Sequence, residues 1–250
     1  MTDLIQINHQ QIEEALIPYL KQHLSLEVHA TLASTNLYLK QQTPLVPWQA
    51  VIATQQTGGR GQHGHVFDSP FGGLYLSVAV PFEKSKPVNA FRYTAAAGVA
   101  VAETIQVTLQ QKVRLKWVND VYDYQRKIAG ILTEGVLDTE GTLAGIVVGV
   151  GLNFASTIAT QRIGNLSQAV NAHQVNINQF CATYLNRLAA GLAQADEAIG
   201  AHYCNWSAII GRRLQNGLVI TQLLADGTLI LSNGSQVAVG QKIDFKEELI

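Results

Sequence analysis

Between residues 53 and 80 the sequence ATQQTGGRGQHGHVFDSPFGGLYLSVAV leaves the chain few ways to fold. Gly58, Gly59, Gly61, Gly64, Gly72 and Gly73 crowd into it, with Arg60 among them. Glycine weakens helix and strand interiors, so residues 55–73 read as a long loop. Inside a compact domain, a loop of that length is functional or disordered. It runs straight into a strand, in which Leu74, Leu76, Val78 and Val80 alternate with Tyr75, Ser77 and Ala79. Glycines let backbone N–H groups approach an anion, and an arginine adds a planar fork for carboxylate or phosphate. A mobile surface loop with a solvated arginine is the equal alternative on glycine content alone.

The material around this loop is that of a large buried core. Hydrophobic residues make up 47% of the 250 and charged residues 14%, which argues against disorder and allows one large domain with a small satellite. A net charge of −1 offers no surface for nucleic acid. No apolar run reaches membrane-spanning length, and the polar N-terminus has no signal-peptide pattern. Cys181 and Cys204 lack metal or redox spacing and read as buried thiols of a reducing compartment. The expectation is a soluble, cytoplasmic protein with no membrane partner.

Residues 8–24 suggest one weakly amphipathic helix on Ile12, Leu16, Tyr19 and Leu20, bent or ended by Pro18. Only about twenty-five residues precede the first motif; a helix-turn-helix domain needs roughly twice that. Residues 26–32 suit a strand. Ser34, Thr35 and Asn36 follow, and are either a capped helix start or a polar helix N-terminus able to hold a small ligand. Residues 51–53 enter the glycine loop as a strand. Residues 91–107 make an alanine-rich buried helix, with Gly98 at a close contact. Residues 113–118 form a strand with Arg114 and Lys116 on one face, closed by Asn119 and Asp120. A polar turn holding Lys127 then leads into the strand IAGILTEGVL, and LAGIVVGVGLN is apolar enough to be central in a sheet. Residues 177–201 read as a single helix. Beyond Gly211, Asp226-Gly227 and Asn233-Gly234 separate short strands, the signature of hairpins.

Several chemistries are excluded. There is no G-x-x-x-x-G-K-[ST] phosphate loop, no G-x-S-x-G elbow and no G-x-G-x-x-G fingerprint. His63 and His65, flanking a glycine, are too few for a zinc site. What remains is Gln56 and Arg60 in the loop, Lys116, Asn119 and Asp120 at a strand end, and Lys127 before the next strand. Two cations, a glycine cradle and an Asp beside an Asn suit a polyanion with one Mg²⁺. The residues alone therefore point to an anionic small molecule of the nucleotide kind.

Five motifs occur in a fixed order: Q-T-x-G-R-G (56–61), S-P-x-G-x-L-Y-x-S (69–77), K-W-x-N-D (116–120), K-x-x-G-I-L-x-E (127–134) and G-x-G-x-N (149–153). Together with Ser34-Thr35-Asn36 they resemble the catalytic core of biotin–protein ligases, and the hairpin-rich tail resembles that family's SH3-like C-terminal domain. The resemblance implies an α+β fold, a biotin/lipoate-ligase-like mixed sheet with helices plus a small SH3-like β-barrel. It divides the chain into an N-terminal helical extension (1–24), a ligase catalytic domain (25–208) and the SH3-like domain (209–250). It further implies that biotin attacks ATP to give biotinyl-5′-adenylate and pyrophosphate, and that a lysine of a biotin carboxyl carrier domain then takes the biotin.

On that resemblance Lys127 and Arg60 are catalytic. Lys127 would hold the biotin carboxylate and Arg60 the adenylate phosphate. The ureido head would meet Ser34, Thr35, Asn36 and Gln56. Gly59, Gly61 and Gln62 would complete the loop's hold, and Gly130, Ile131 and Leu132 would face the ring and tail. ATP would meet Phe67, Lys116, Asn119, Asp120 and Asn153, with Asp120 on Mg²⁺. The glycine loop would be a lid ordered by ligand. Three positions depart from the family's usual G-R-G-R-x-G-R-x-W: Gln62, His65 and Phe67 replace two arginines and the tryptophan. A lipoate or octanoate ligase shares the fold, but its R-R-x-S-G-G-G motif is absent. A catalytically weak biotin-binding paralogue is the other alternative. A homodimer and a monomer suit the sequence equally.

Overall fold

The structure is a computed structural model that describes residues 6–246 apart from 43, 86, 159, 208 and 242. Pro18 does not bend one N-terminal helix but begins a second. The segment is α1 (His9–Glu14) and α2 (Pro18–His23), with the proline in the first turn, where its missing N–H leaves no bond unmade. Then come β1 (Ser25–Leu32), α3 (Thr35–Lys40), β2 (Gln49–Gln56), β3 (Leu74–Val80), α4 (Ala90–Leu109), β4 (Arg114–Lys116), β5 (Asp120–Asp123), β6 (Arg126–Leu137) and β7 (Leu143–Leu152). The helices α5 (Ser167–His173), α6 (Ile177–Leu192) and α7 (Asp196–Trp206) precede β8 (Ile220–Leu223), β9 (Leu229–Leu231) and β10 (Gln236–Val237).

The first seven strands form one sheet in the order β1-β2-β3-β7-β6-β5-β4. Only β1 and β2 pair in parallel; every other neighbour is antiparallel. The apolar run of β7 occupies the centre, where both faces are covered. One face carries Ile52, Leu76, Val78, Val148, Val150 and Ile131 into the core beneath α4, which packs in turn on α6 and α7. The close contact expected at Gly98 does not require glycine: a Cβ there would lie 3.4 Å from Leu115, an ordinary contact. The opposite face receives α3 over Val51 and Val147.

Three expectations of the sequence are corrected here. The helix expected over 177–201 is two, because Arg92 of α4 donates to the carbonyls of Leu192 and Gln194 and pairs with Asp196. Those contacts hold the last turn of α6 open and start α7 afresh. Asn119-Asp120 does not close a strand: the chain reverses there, and Asp120 opens β5 opposite Lys116. Lys127 lies within β6 rather than in the turn before it.

Strands β8–β10 form a separate antiparallel sheet, and Gly227 and Gly234 take the positive φ of +88° and +83° that its turns require. Bridges at Arg213–Val219 and Leu214–Phe245 extend it. Trp117 Nε1 donates to the Gly227 carbonyl at 2.9 Å and ties this unit to the large sheet. Among the described residues no helix is long and apolar enough to cross a membrane.

Candidate active site

A strand presents alternate residues to one face, so the position of Lys127 depends on a single irregularity. Asp120 pairs with Gly130 and Val121 with Ala129, but Tyr122 pairs with Lys127. The extra residue, Ile128, is a β-bulge and is fully buried in the core. Without it Ile128 would face the α3 side and Lys127 would point away. With it, Lys127, Asp120, Tyr122 and Gly130 share one face. Lys127 Nζ stands 2.7 Å from Asp120 Oδ1. The contact is an ion pair without hydrogen-bond alignment, since Asp120 Oδ1 is buried with no hydrogen-bond partner. Burial, then the Asp120 charge, pushes the neighbouring Tyr122 phenol up to about 12.

The same face continues across β7, where Gly151 is opposite Gly130 and Gly149 opposite Leu132. Both glycines make room for something. A Cβ on Gly151 would sit 2.6 Å from the Phe67 ring, and one on Gly149 would sit 1.9 Å from Asn36 Oδ1. At Gly130 a Cβ would press on both Lys127 and Phe67 at 3.3 Å. The missing side chains thus form the floor on which Phe67, Lys127 and Asn36 rest. Phe67 packs edge-on against Tyr75, and Lys127 Nζ lies 5.8 Å from its ring centre.

Facing this floor is the N-terminus of α3. Ser34 caps it, accepting from Leu37 N, and Thr35 and Asn36 are buried behind it. Thr35 N donates to Gln56 Oε1 at 2.8 Å, and Gln56 Nε2 donates to Ser69 Oγ at 3.0 Å. Ser77, fully buried on β3, lies 2.7 Å from Thr35 Oγ1 and 2.6 Å from Asn36 Oδ1. Glu134 joins the rear of this wall, accepting from Asn36 at 2.8 Å and from Lys40 at 2.6 Å. Burial alone would raise its carboxyl. The hydrogen bonds from Lys40 and Asn36 and the charges of Lys40 and Arg60 outweigh burial and hold it below the usual carboxylate value.

The glycine loop forms a small hairpin. Arg60 bridges Val66, Gly61 N donates to the His65 carbonyl, and Phe67 N donates to the Gly59 carbonyl. A 3₁₀ turn at Gln62–Gly64 makes its tip, and Gly64 takes φ +77° there. Between this hairpin, the α3 wall and the β6–β7 floor lies a cavity of about 280 Å³.

Of the sequence-derived residues, Ser34, Thr35, Asn36, Gln56, Arg60, Gly61, Gln62, Phe67, Asn119, Asp120, Lys127, Gly130, Ile131 and Leu132 line this cavity. Gly59 does not; it borders an adjoining recess of about 760 Å³, which shares Arg60, Gln62 and Leu132 with the cavity. Lys116 lies outside both, its Nζ 5.2 Å from the Tyr122 ring centre. Asn153 is buried elsewhere and donates to the Gly164 carbonyl at 2.9 Å, anchoring the segment before α5. Asn119 spends one amide proton on the Ile131 carbonyl and accepts from Ile131 N through its own carbonyl, so it clamps the β4–β5 reversal to β6. Val66, Gly149, Val150 and Gly151 line the cavity although no ligand role was read for them in the sequence, and so does His65, noted there only as standing where the family has arginine. Ser69 and Ser77 also matter, and both stood inside a quoted motif; their partners lie far away in sequence, so no local signal assigned them a role. No cluster of metal-ligating side chains occurs among the described residues, and Asp120 is the cavity's one carboxylate.

Residues 28–153 match the biotin/lipoate A/B protein ligase family. The chain is 38% identical to the bifunctional ligase/repressor BirA of Escherichia coli strain K12 over 143 residues, 56% of this chain and 44% of that protein. It thus spans less than half the length of this relative. It is 30% identical to the biotin–[acetyl-CoA-carboxylase] ligase of Mycobacterium tuberculosis over 204 residues, 76% of this chain and 73% of the relative. The fold is similar to that of the Aquifex aeolicus biotin protein ligase solved with biotin and ATP, at a TM-score of 0.73 and 21% identity, covering 89% of this chain and 99% of that one. The matched segment runs from β1 to the end of β7 and contains the α3 wall, the glycine hairpin and the bulge that aims Lys127, and on these grounds the chain belongs to the biotin/lipoate A/B protein ligase family.

Proposed function

We propose that the chain is a biotin–protein ligase that activates biotin with ATP and passes it to a lysine of a biotin carboxyl carrier domain. The observation that carries this reading is a small cavity lined both by a hydrogen-bonding wall and by two cations, Lys127 and Arg60. A ureido head needs matched donors and acceptors, and a carboxylate needs a cation. Gln56 Nε2, with one proton on Ser69, keeps a second for a carbonyl. A cavity of about 280 Å³ is of a size for a small ligand such as biotin.

In the first step a biotin carboxylate oxygen attacks the α-phosphorus of ATP, and pyrophosphate leaves with the bonding electrons. Lys127 pairs with the carboxylate and then with the phosphoryl oxygens as charge builds on them, while Arg60 spans the phosphate with its fork. In the second step the neutral amine of the carrier lysine attacks the acyl carbon and AMP departs. Asp120 has a buried oxygen without a hydrogen bond, which fits one Mg²⁺ held mostly by nucleotide phosphates. That ion would supply positive charge against the triphosphate. Phe67 on its glycine floor offers a face for stacking, and water kept out by the hairpin spares the mixed anhydride from hydrolysis.

Pyrophosphate release with ATP and biotin is the test. Lys127→Ala is expected to lower it roughly 10²–10³-fold; unchanged release would sink the assignment. A second reading, a weak biotin-binding paralogue, is favoured by Gln62 and His65 lining the cavity where the family pattern has arginine. Biotin binding without pyrophosphate release in the wild type would select it.

A further inference from the structure

The base of the glycine hairpin is fastened to the cavity wall by hydrogen bonds that can run in one direction only. Thr35 N can only donate, and it lies 2.8 Å from Gln56 Oε1. Reversing the Gln56 amide would set its NH₂ against that N–H, so the NH₂ faces Ser69 Oγ at 3.0 Å. Ser69 must then accept from Gln56 and send its own proton elsewhere. It goes to the Phe67 carbonyl at 2.8 Å. Phe67 N donates in turn to the Gly59 carbonyl at 3.0 Å, so both backbone polar groups of Phe67 are held. Ser69 is buried, where such bonds are stronger than in water. Gly59, which lies outside the cavity lining, belongs to the same fastening. A Cβ there would stand 2.3 Å from both the Phe67 carbonyl oxygen and Ser69 Oγ.

We infer that Ser69 is a positioning residue for ATP, acting through Phe67: its hydroxyl fixes the Phe67 backbone so that the ring is seated on the cavity floor before the nucleotide arrives. The inference rests on the reading above, in which Phe67 offers its face for stacking. The ring occupies the space that a Cβ on Gly151 would enter, and Lys127 Nζ stands 5.8 Å from its centre. A shift of residue 67 therefore moves the ring relative to the lysine. The direction of the hydrogen bonds makes the dependence one-sided. Without the Ser69 hydroxyl, the Thr35 N–H still selects the Gln56 oxygen, and the wall that faces biotin keeps its orientation. The Phe67 carbonyl has no such reserve, since among the described residues Ser69 is its only donor. Losing the hydroxyl should thus impair ATP and spare biotin.

Pyrophosphate release by the full chain with ATP and biotin, beside biotin Kd from calorimetry, tests this in Ser69→Ala, Phe67→Ala and the double variant. Ser69→Ala is expected to raise the KM for ATP about three- to tenfold, the effect of one hydrogen bond, and to leave biotin Kd within about twofold. The double variant should match Phe67→Ala, because with the ring gone Ser69 has nothing left to position. A serine that merely held the hairpin together would lower the melting temperature with the KM for ATP unchanged, or would add its loss to that of Phe67→Ala. Either pattern overturns the inference, and so does a loss of biotin affinity as large as the rise in KM. Should Ser69→Ala not fold, Ser69→Cys keeps the volume with a far weaker donor, and an unchanged KM for ATP in it overturns the inference equally. A wild type that releases no pyrophosphate removes the reading on which the inference stands, an outcome distinct from any difference among variants.

Discussion

One residue of register at position 127 separates a cavity-facing lysine from one turned into the core, and the glycines around it make room for the same cavity. Two glycine substitutions distinguish the reasons glycine is there. Gly149→Ala would place a methyl 1.9 Å from Asn36 Oδ1, so it should cost about 1–3 kcal/mol of stability and abolish biotin binding. Gly64→Ala meets nothing within 4 Å but must adopt φ +77°; it should cost about 1 kcal/mol and leave binding intact. Chemical denaturation beside calorimetry reads both. Gln62 carries the other residue-scale prediction. A glutamine at the cavity cannot retain a phosphate as arginine would, so activated biotin should escape and label bystander proteins. Labelling confined to the carrier would refute this, and Gln62→Arg should suppress any leakage seen.

Between elements, ion pairs do what hydrophobic patterning cannot. Glu134 joins β6 to α3 through Lys40 and Asn36, and Asp196 joins α7 to α4 through Asn89 and Arg92. Burial opposes ionisation of Asp196 too, but hydrogen bonds from Asn89 and Arg92 and the Arg92 charge hold its carboxyl below the usual value. A carboxylate with a depressed folded-state pKa contributes stability that is complete above its unfolded value, about 4. That contribution is lost as pH falls through the lower folded value, because the unfolded chain then binds more protons. The melting temperatures of wild type and Glu134→Gln should therefore differ at pH 7 and converge below about pH 4. A gap that persists in acid would show that the carboxylate's charge is not what joins these elements.

For the whole molecule, the small C-terminal sheet is held to the large one where Trp117 Nε1 meets the Gly227 carbonyl and where Phe91 packs within 2.6 Å of the position a Gly227 Cβ would take. Trp117→Phe keeps the ring and removes the donor. It should cost about 1–2 kcal/mol without changing biotin affinity, as read by thermal unfolding and calorimetry.

Much of the fold was legible because local chemistry decides it. The apolar run of β7 had to be central, the alternation of β3 had to be a strand, and Asp226-Gly227 and Asn233-Gly234 had to be turns. The break between α6 and α7 was not legible, since Arg92 stabilises it from about a hundred residues away. The cavity divides in the same way. Ser34 and the glycine loop could be singled out by residue type, each beside a structural alternative, whereas Lys116, singled out by its charge, and Asn153, by its motif, stand outside the lining. Composition and periodicity determined where most strands and helices lie, because burial and backbone preference act over a few neighbouring residues. Only the tertiary structure decided which polar groups converge: the bulge at Ile128, the partners of Glu134 and the contacts among Thr35, Gln56 and Ser77 all depend on strands and helices meeting in space.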